Sequence, residues 1–151
     1  MTRERVLIGV DGSEWTREVA RQAIDMLGRG NSYTIARVIQ SPIGIDPLPL
    51  AFTQRGDVVA ATDEAIVADA ERDVAQTIGE LGVPAKQHVL AGTPGPALVE
   101  FAKDGEFNLI VVGSHGSGVL KRMLLGSTSH YLVQHAPCPV LVFRSEESAA
   151  A

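Results

Sequence analysis

A set of glycines and hydroxyl residues in the last third of the chain has the types and spacing to bind phosphate groups. Two glycines enclose a serine and a histidine, and nine residues further on a third glycine precedes three hydroxyl residues. The set comprises Gly113, Ser114, His115, Gly116, Gly126, Ser127, Thr128 and Ser129. Glycine lets the backbone approach a ligand closely, and the free N–H groups and hydroxyls that open a helix bind anions. This order of residues predicts a phosphate site.

A second polar turn follows the first apolar segment of the chain and contains Asp11, Gly12 and Ser13. A carboxylate only accepts hydrogen bonds, so Asp11 is suited to a ribose hydroxyl or to a bound cation. The same residue could instead cap the helix that follows, with Glu14 three residues further on as its capping-box partner. The residue types leave both interpretations open.

The loop between the second and third glycines carries two basic residues, Lys121 and Arg122. Their side chains could reach a phosphate or could simply remain hydrated. Ser127 likewise could bind a phosphate or act only as an N-cap residue. No lysine precedes the hydroxyl residues, so the pattern G-x-x-x-x-G-K-[ST] is absent, and the glycine order also differs from the dinucleotide-binding pattern G-x-G-x-x-G.

Apolar periodicity predicts the elements that must hold these turns in place. Nearly continuous apolar runs indicate buried strands, and a 3.6-residue period indicates amphipathic helices. The predicted strands cover 5–10, 33–39, 87–90, 108–112 and 140–143. The predicted helices cover 14–27, 57–81, 94–103 and 127–134, with Gly28 closing the first and Thr93 capping the third. This alternation predicts an α/β fold with a single doubly wound five-stranded parallel sheet and helices on both faces.

Right-handed crossovers place the two polar turns together. One half of such a sheet winds outward from strand 1 and the other from strand 4, which predicts the strand order 3-2-1-4-5. Ligands bind beyond the carboxyl ends of the two central strands, where the order reverses. Asp11 follows strand 1 and the turn 113–116 follows strand 4. Topology alone therefore predicts that both turns line one crevice.

The composition is that of a globular chain without a basic surface. The 151 residues are 45% hydrophobic and 21% charged, with a formal net charge of −5. Nucleic-acid-binding proteins usually carry a basic surface, so we do not expect nucleic acid as a partner. The sequence has no run of about 18 apolar residues, so we do not expect a membrane either. A single cysteine, Cys138, and the lack of a long apolar segment near the start predict a cytoplasmic location. We expect one nucleotide-binding domain over 1–145 and a disordered tail over 146–151.

At these residues the sequence resembles the universal stress protein family. The family pattern is G-x2-G-x9-G-[ST], and Gly113, Gly116, Gly126 and Ser127 match it with no change in spacing. Segments 10–13 and 135–142 also resemble the family, so the likeness covers about residues 3–144. The resemblance implies a five-stranded α/β fold, a homodimer and a role in the stress response.

The intact glycine pattern is similar to that of the family branch that binds ATP. Mg²⁺ could be bound together with the ATP. By this likeness the pattern residues would hold ribose and phosphates, Asp11 and Gly9 would line the nucleoside side, and the Val38 backbone would meet the adenine. The implied binding residues are Gly9, Asp11, Val38, Gly113, Ser114, His115, Gly116, Gly126, Ser127, Thr128 and Ser129.

The last strand gives a physical reason for the implied homodimer. It is an apolar run at the predicted edge of the sheet, made of Val140, Leu141, Val142 and Phe143. An exposed apolar edge promotes aggregation unless it is covered, and antiparallel pairing with its copy across a two-fold axis would cover it. Arg144 and the short length of the strand could also protect the edge.

No group of residues in the sequence is committed to catalysis. His115 lies in the glycine turn without an obvious carboxylate to orient it, and Cys138 between two prolines is suited to packing. We therefore expect a nucleotide-responsive stress or signalling module. A slow ATPase at the same site, in which Asp11 or His115 places water, stays open as the alternative. The proline-rich loop 41–56 could be functional or could cover one end of the core.

Overall fold

The computed structural model describes residues 2–40, 61–115 and 125–145, and within these ranges five strands alternate with four helices. The strands are β1 (Arg5–Val10), β2 (Ser32–Ile39), β3 (Ala85–Ala91), β4 (Leu109–Gly113) and β5 (Val140–Phe143). The helices are α1 (Glu14–Leu27), α2 (Ala61–Leu81), α3 (Pro94–Asp104) and α4 (Ser127–His135). Outside the described residues lie the predicted loop 41–56, the predicted helix start at 57–60, Gly116, Lys121, Arg122 and the tail 146–151.

The five strands form one parallel sheet in the order β3-β2-β1-β4-β5, which confirms the predicted fold class and strand order. The central strand is β1, where Val6 pairs with Tyr33 on one side and with Leu109 on the other. Edge strand β3 is longer than predicted, because its pairing with β2 runs from Ala85 to Ala91. The prediction began at Gln87 and missed Lys86, whose exposed polar side chain does not mark a buried strand.

Side chains of the sheet alternate between two cores, as expected for a sheet covered on both faces. Ile8, Ile35 and Val111 belong to the first core, together with α1 and α2 residues such as Val19 and Val74. Leu7, Ala36 and Ile110 belong to the second, together with Leu98 of α3 and Leu132 of α4. The apolar runs of the sequence therefore place alternate residues in different helical layers.

Local capping signals account for most of the helix ends. Gly28 closes α1 with a φ of 94°, and its N–H donates to the Ile24 carbonyl at 2.8 Å, as predicted. Pro94 is the first residue of α3 and Thr93 is at the N-cap position, but the Thr93 side chain makes no capping hydrogen bond. The prediction of a Thr93 side-chain cap was therefore wrong, because the exposed Thr93 side chain bonds to no backbone N–H of the helix.

One carboxylate ties three elements together on the α1 and α2 face of the sheet. Asp73 of α2 forms an ion pair with Arg17 of α1 and a second one, at 3.3 Å, with Arg37 of β2. The bond to Asp73 raises the pKa of the Arg17 guanidinium, so this cation stays charged at every pH the protein meets.

Across the described ranges, no helix is both long and apolar enough to cross a membrane.

Candidate functional site

The two central strands separate before they end, which opens a crevice at the carboxyl edge of the sheet. Pairing between β1 and β4 extends only to Ile8 and Val111, although β1 continues to Val10 and β4 to Gly113. The Asp11 turn lies on one side of this gap, and the turn that begins at Gly113 lies on the other. This is the location that the strand order predicted for a ligand.

Asp11 organises the turn that follows β1. One of its carboxylate oxygens, Oδ1, accepts the Ser13 N–H and the Thr16 hydroxyl, both at 2.9 Å. The Asp11 N–H in turn donates to Thr16 Oγ1 at 3.1 Å. The N-cap of α1 is Ser13, whose Oγ accepts the Thr16 N–H at 3.3 Å. The interpretation of Asp11 as the cap, with Glu14 as its partner, was therefore wrong.

Gly12 has two independent reasons to be glycine. Its φ of +88° lies in the left-handed region that residues with a Cβ rarely adopt. A Cβ at this position would also lie 3.0 Å from Cζ of Arg37, whose guanidinium comes from the neighbouring strand β2. The Asp11 turn is therefore packed directly against a half-buried cation.

The β4 turn is fastened to the start of α4 through a single carbonyl group. The Gly126 N–H donates to the Ser114 carbonyl. The Ser129 hydroxyl donates to the same carbonyl at 3.1 Å and is also within 3.1 Å of the Gly126 carbonyl. Ser129 is buried, with 1% of its surface exposed, so its hydroxyl forms its hydrogen bonds within the protein. The predicted role of Ser129 beside a phosphate stays a prediction.

The first turn of α4 nevertheless keeps the groups that bind anions. Its N-cap is Gly126, so Ser127 is the first helical residue, and the alternative in which Ser127 itself is the N-cap was wrong. The N–H groups of a first helical turn have no acceptor within the helix, and the helix dipole favours an anion near them. The side chains of Ser127 and Thr128 are exposed and half-buried respectively.

At three glycines of the predicted site, a Cβ would come close to other atoms of the protein. These are Gly9, Gly113 and Gly126. A Cβ on Gly113 would lie 2.7 Å from Nε1 of Trp15, and one on Gly126 would lie 3.1 Å from the Ser114 carbonyl oxygen. A Cβ on Gly9 would lie 3.2 Å from a methyl group of Leu98 in the second core. The Val38 side chain packs against that same core, and the predicted contact of its backbone with adenine stays a prediction.

Trp15 is a site neighbour that sequence reasoning missed. Its indole ring stacks on the His115 imidazole, with ring centroids 5.7 Å apart and planes inclined by 10°. The imidazole also contacts Ser114, with Nδ1 3.2 Å from Ser114 Oγ. The one signal in the sequence is position, since this single tryptophan stands in the first turn of α1, just after the Asp11 turn.

Cys138 is a packed residue beside β5. It contacts the second core, and burial raises the pKa of its thiol, which favours the protonated form. This agrees with its interpretation as a packing residue. Among the residues described, no three His, Cys, Asp or Glu side chains are grouped as metal ligands.

The sequence profile of the universal stress protein family matches residues 2–144. This chain belongs to the universal stress protein family. A universal stress protein of Mycobacterium tuberculosis is 32% identical over 146 residues, which are 95% of this chain and 48% of the relative. The chain thus spans about half the length of that relative. A universal stress protein of Methanocaldococcus jannaschii is 30% identical over 143 residues, covering 93% of this chain and 82% of the relative.

Solved structures of the universal stress protein family share the fold. The protein UspA from Lactobacillus plantarum superposes with a TM-score of 0.64 at 28% identity, covering 95% of this chain and 100% of that one. A universal stress protein in complex with cAMP gives 0.66 at 20% identity, covering 95% and 98% of the two chains. The Archaeoglobus fulgidus protein in complex with dAMP gives 0.62 at 17% identity, covering 94% and 98%.

Proposed function

We propose that this universal stress protein binds ATP in the crevice between the β1 and β4 turns and acts as a nucleotide-responsive module. One observation carries the proposal: the Ser114 carbonyl holds the start of α4 beside the β4 turn, where β1 and β4 separate. Phosphates would lie against the N–H groups of Ser127 and Thr128. The nucleoside would lie towards Asp11 and the backbones of Gly9 and Val38.

The chemistry of the solved relatives supports this placement. Their ligands, cAMP and dAMP, both combine adenine with a phosphate on a furanose ring. A helix N-terminus suits the phosphate part, and a carboxylate such as Asp11 suits a ribose hydroxyl. The preference for a triphosphate rests on the intact glycine pattern from Gly113 to Ser127. A cytoplasmic location, where the thiol of Cys138 stays reduced, is part of the proposal.

We propose binding in preference to turnover because the candidate catalytic groups have other partners. Asp11 Oδ1 already accepts two hydrogen bonds from its own turn, and His115 is held between Trp15 and Ser114. A general base must reach the attacking water and also accept its proton. Neither Asp11 nor His115 is arranged primarily to act as a general base.

Two substitutions at Ser127 test the phosphate position. Ser127→Pro removes one N–H and the hydroxyl, whereas Ser127→Ala removes only the hydroxyl. Proline is favoured at the first position of a helix, as Pro94 shows in α3, and the ψ of 171° at Gly126 suits a residue before proline. The helix should therefore survive in both variants, which circular dichroism would verify.

We expect the Ser127→Pro variant to bind ATP about tenfold or more weakly by calorimetry, because hydrogen bonds to charged groups contribute about 1.5–3 kcal/mol. The alanine variant should lose less. Mass spectrometry of the purified wild-type protein should find ATP that remains unhydrolysed during incubation. A wild-type protein with no affinity for ATP, or a proline variant with wild-type affinity, would refute the proposed site.

We also propose that two copies pair through β5. The strand stands at one edge of the sheet, and its side chains are already engaged with both of the chain's own cores. What it offers at its outer edge is therefore backbone N–H and C=O groups, which a second copy of the same strand can satisfy.

A further inference from the structure

Trp15 connects α1 to the half of the crevice that is proposed to hold phosphates. Its ring lies against His115, and His115 Nδ1 contacts Ser114 Oγ. The Ser114 carbonyl in turn accepts hydrogen bonds from Gly126 and Ser129 at the start of α4. A continuous series of contacts therefore runs from the indole to the helix N-terminus.

The indole N–H of Trp15 is a donor that has no acceptor within the described residues. Its nitrogen is buried beside the β4 turn, 2.7 Å from the position that a Cβ of Gly113 would occupy. Buried N–H groups are nearly always paired, because leaving one unpaired is unfavourable. A buried donor of this kind, beside the turn that is proposed to bind the nucleotide, is a group that a bound ligand can satisfy.

We propose that Trp15 is a positioning residue for the phosphate chain of the nucleotide, an inference that rests on the proposed function. Stacking holds His115 and, through Ser114, the start of α4. When the turn adjusts to the ligand, the indole N–H donates to a phosphate oxygen. The nucleoside half of the crevice, around Asp11, does not depend on these contacts.

The test compares ATP with adenosine, which lacks the phosphates, in two variants. Trp15→Phe keeps an aromatic ring for His115 and removes the N–H, and Trp15→Leu removes both. Met26→Ala, on the exposed side of the same helix, is the matched control because 65% of Met26 is exposed. Calorimetry would measure both ligands on each full-length protein, with circular dichroism to verify folding.

We expect the phenylalanine variant to bind ATP about tenfold or more weakly, the loss expected for one hydrogen bond to a charged group, and the leucine variant to lose more. Adenosine affinity should stay unchanged in both, and the control should match the wild type for both ligands. In the wild type, the emission of the single tryptophan should change with ATP and not with adenosine.

Wild-type ATP affinity in the phenylalanine variant would overturn the inference. Equal losses for ATP and adenosine would also overturn it, because they would show general damage to the fold. A wild-type protein that binds neither ligand would overturn the proposed function itself, and this inference with it.

Discussion

At the scale of single residues, the glycines around the crevice are required by packing within the protein as well as by a bound ligand. Gly113 must accept the indole of Trp15, and Gly126 must lie against the Ser114 carbonyl. Both contacts exist without any ligand. Substitution at either glycine therefore has a cost in folding that is separate from any cost in binding.

Gly113→Ala should lower the free energy of unfolding by about 1–3 kcal/mol, because the new methyl group would overlap the indole ring. Gly79→Ala in α2 is the matched control, since a Cβ at that position would have no atom within 4 Å and alanine favours a helix. The control should raise stability by about 0.5–1 kcal/mol. Urea denaturation would measure both, and equal effects of the two substitutions would contradict the packing role of Gly113.

At the scale of secondary-structure elements, α1, β2 and α2 are held together by one carboxylate. Asp73 is mostly buried, with 13% of its side chain exposed, and it forms ion pairs with both Arg17 and Arg37. Arg37 also packs against Gly12 in the turn after β1. The position of the Asp11 turn therefore depends on a contact with α2, a helix that is distant in sequence.

Asp73→Ala should lower the free energy of unfolding by about 1–3 kcal/mol, because it leaves two half-buried guanidinium groups without their shared partner. Asp69→Ala in the same helix is the control. Its ion pair with Arg72 is exposed, with 71% of the Asp69 side chain accessible, and should contribute less than about 0.5 kcal/mol. Thermal and urea unfolding would compare them, and a loss as small as that of the control would exclude the three-element tie.

At the scale of the whole molecule, the open edge of β5 sets the proposed assembly. The Pro139 carbonyl accepts a hydrogen bond from Ile110 of β4, and the Phe143 carbonyl accepts one from Ser114, just after β4. Backbone groups in a strand alternate between its two sides, so the N–H and C=O groups of Val140 and Val142 face outward. These outward groups are the ones that a second copy of the chain would bind.

Val142→Pro should convert the dimer to a monomer, because proline removes an outward N–H group and leaves the bonds to β4 in place. Val142→Ala is the control, since it trims the side chain in a similar way and keeps the N–H. Light scattering coupled to size-exclusion chromatography would give the masses. A proline variant that remains dimeric would show that another surface mediates the pairing.

The sequence by itself determined the architecture and the family. Apolar periodicity is a local property, so it located all nine described elements to within a few residues, and the handedness of crossovers then set the strand order. The spacing from Gly113 to Ser127 carried the family resemblance, because that spacing is written directly in the chain.

Only the tertiary structure decided which groups of the motif face inward. Ser127, Thr128 and Ser129 look alike in sequence, yet the Ser129 hydroxyl is buried against the Ser114 carbonyl. The stacking of Trp15 on His115 and the position of Arg37 beneath Gly12 also could not be predicted from the sequence. Each depends on how residues far apart in the chain meet in space, and side-chain packing of that kind leaves no periodic signal in the sequence.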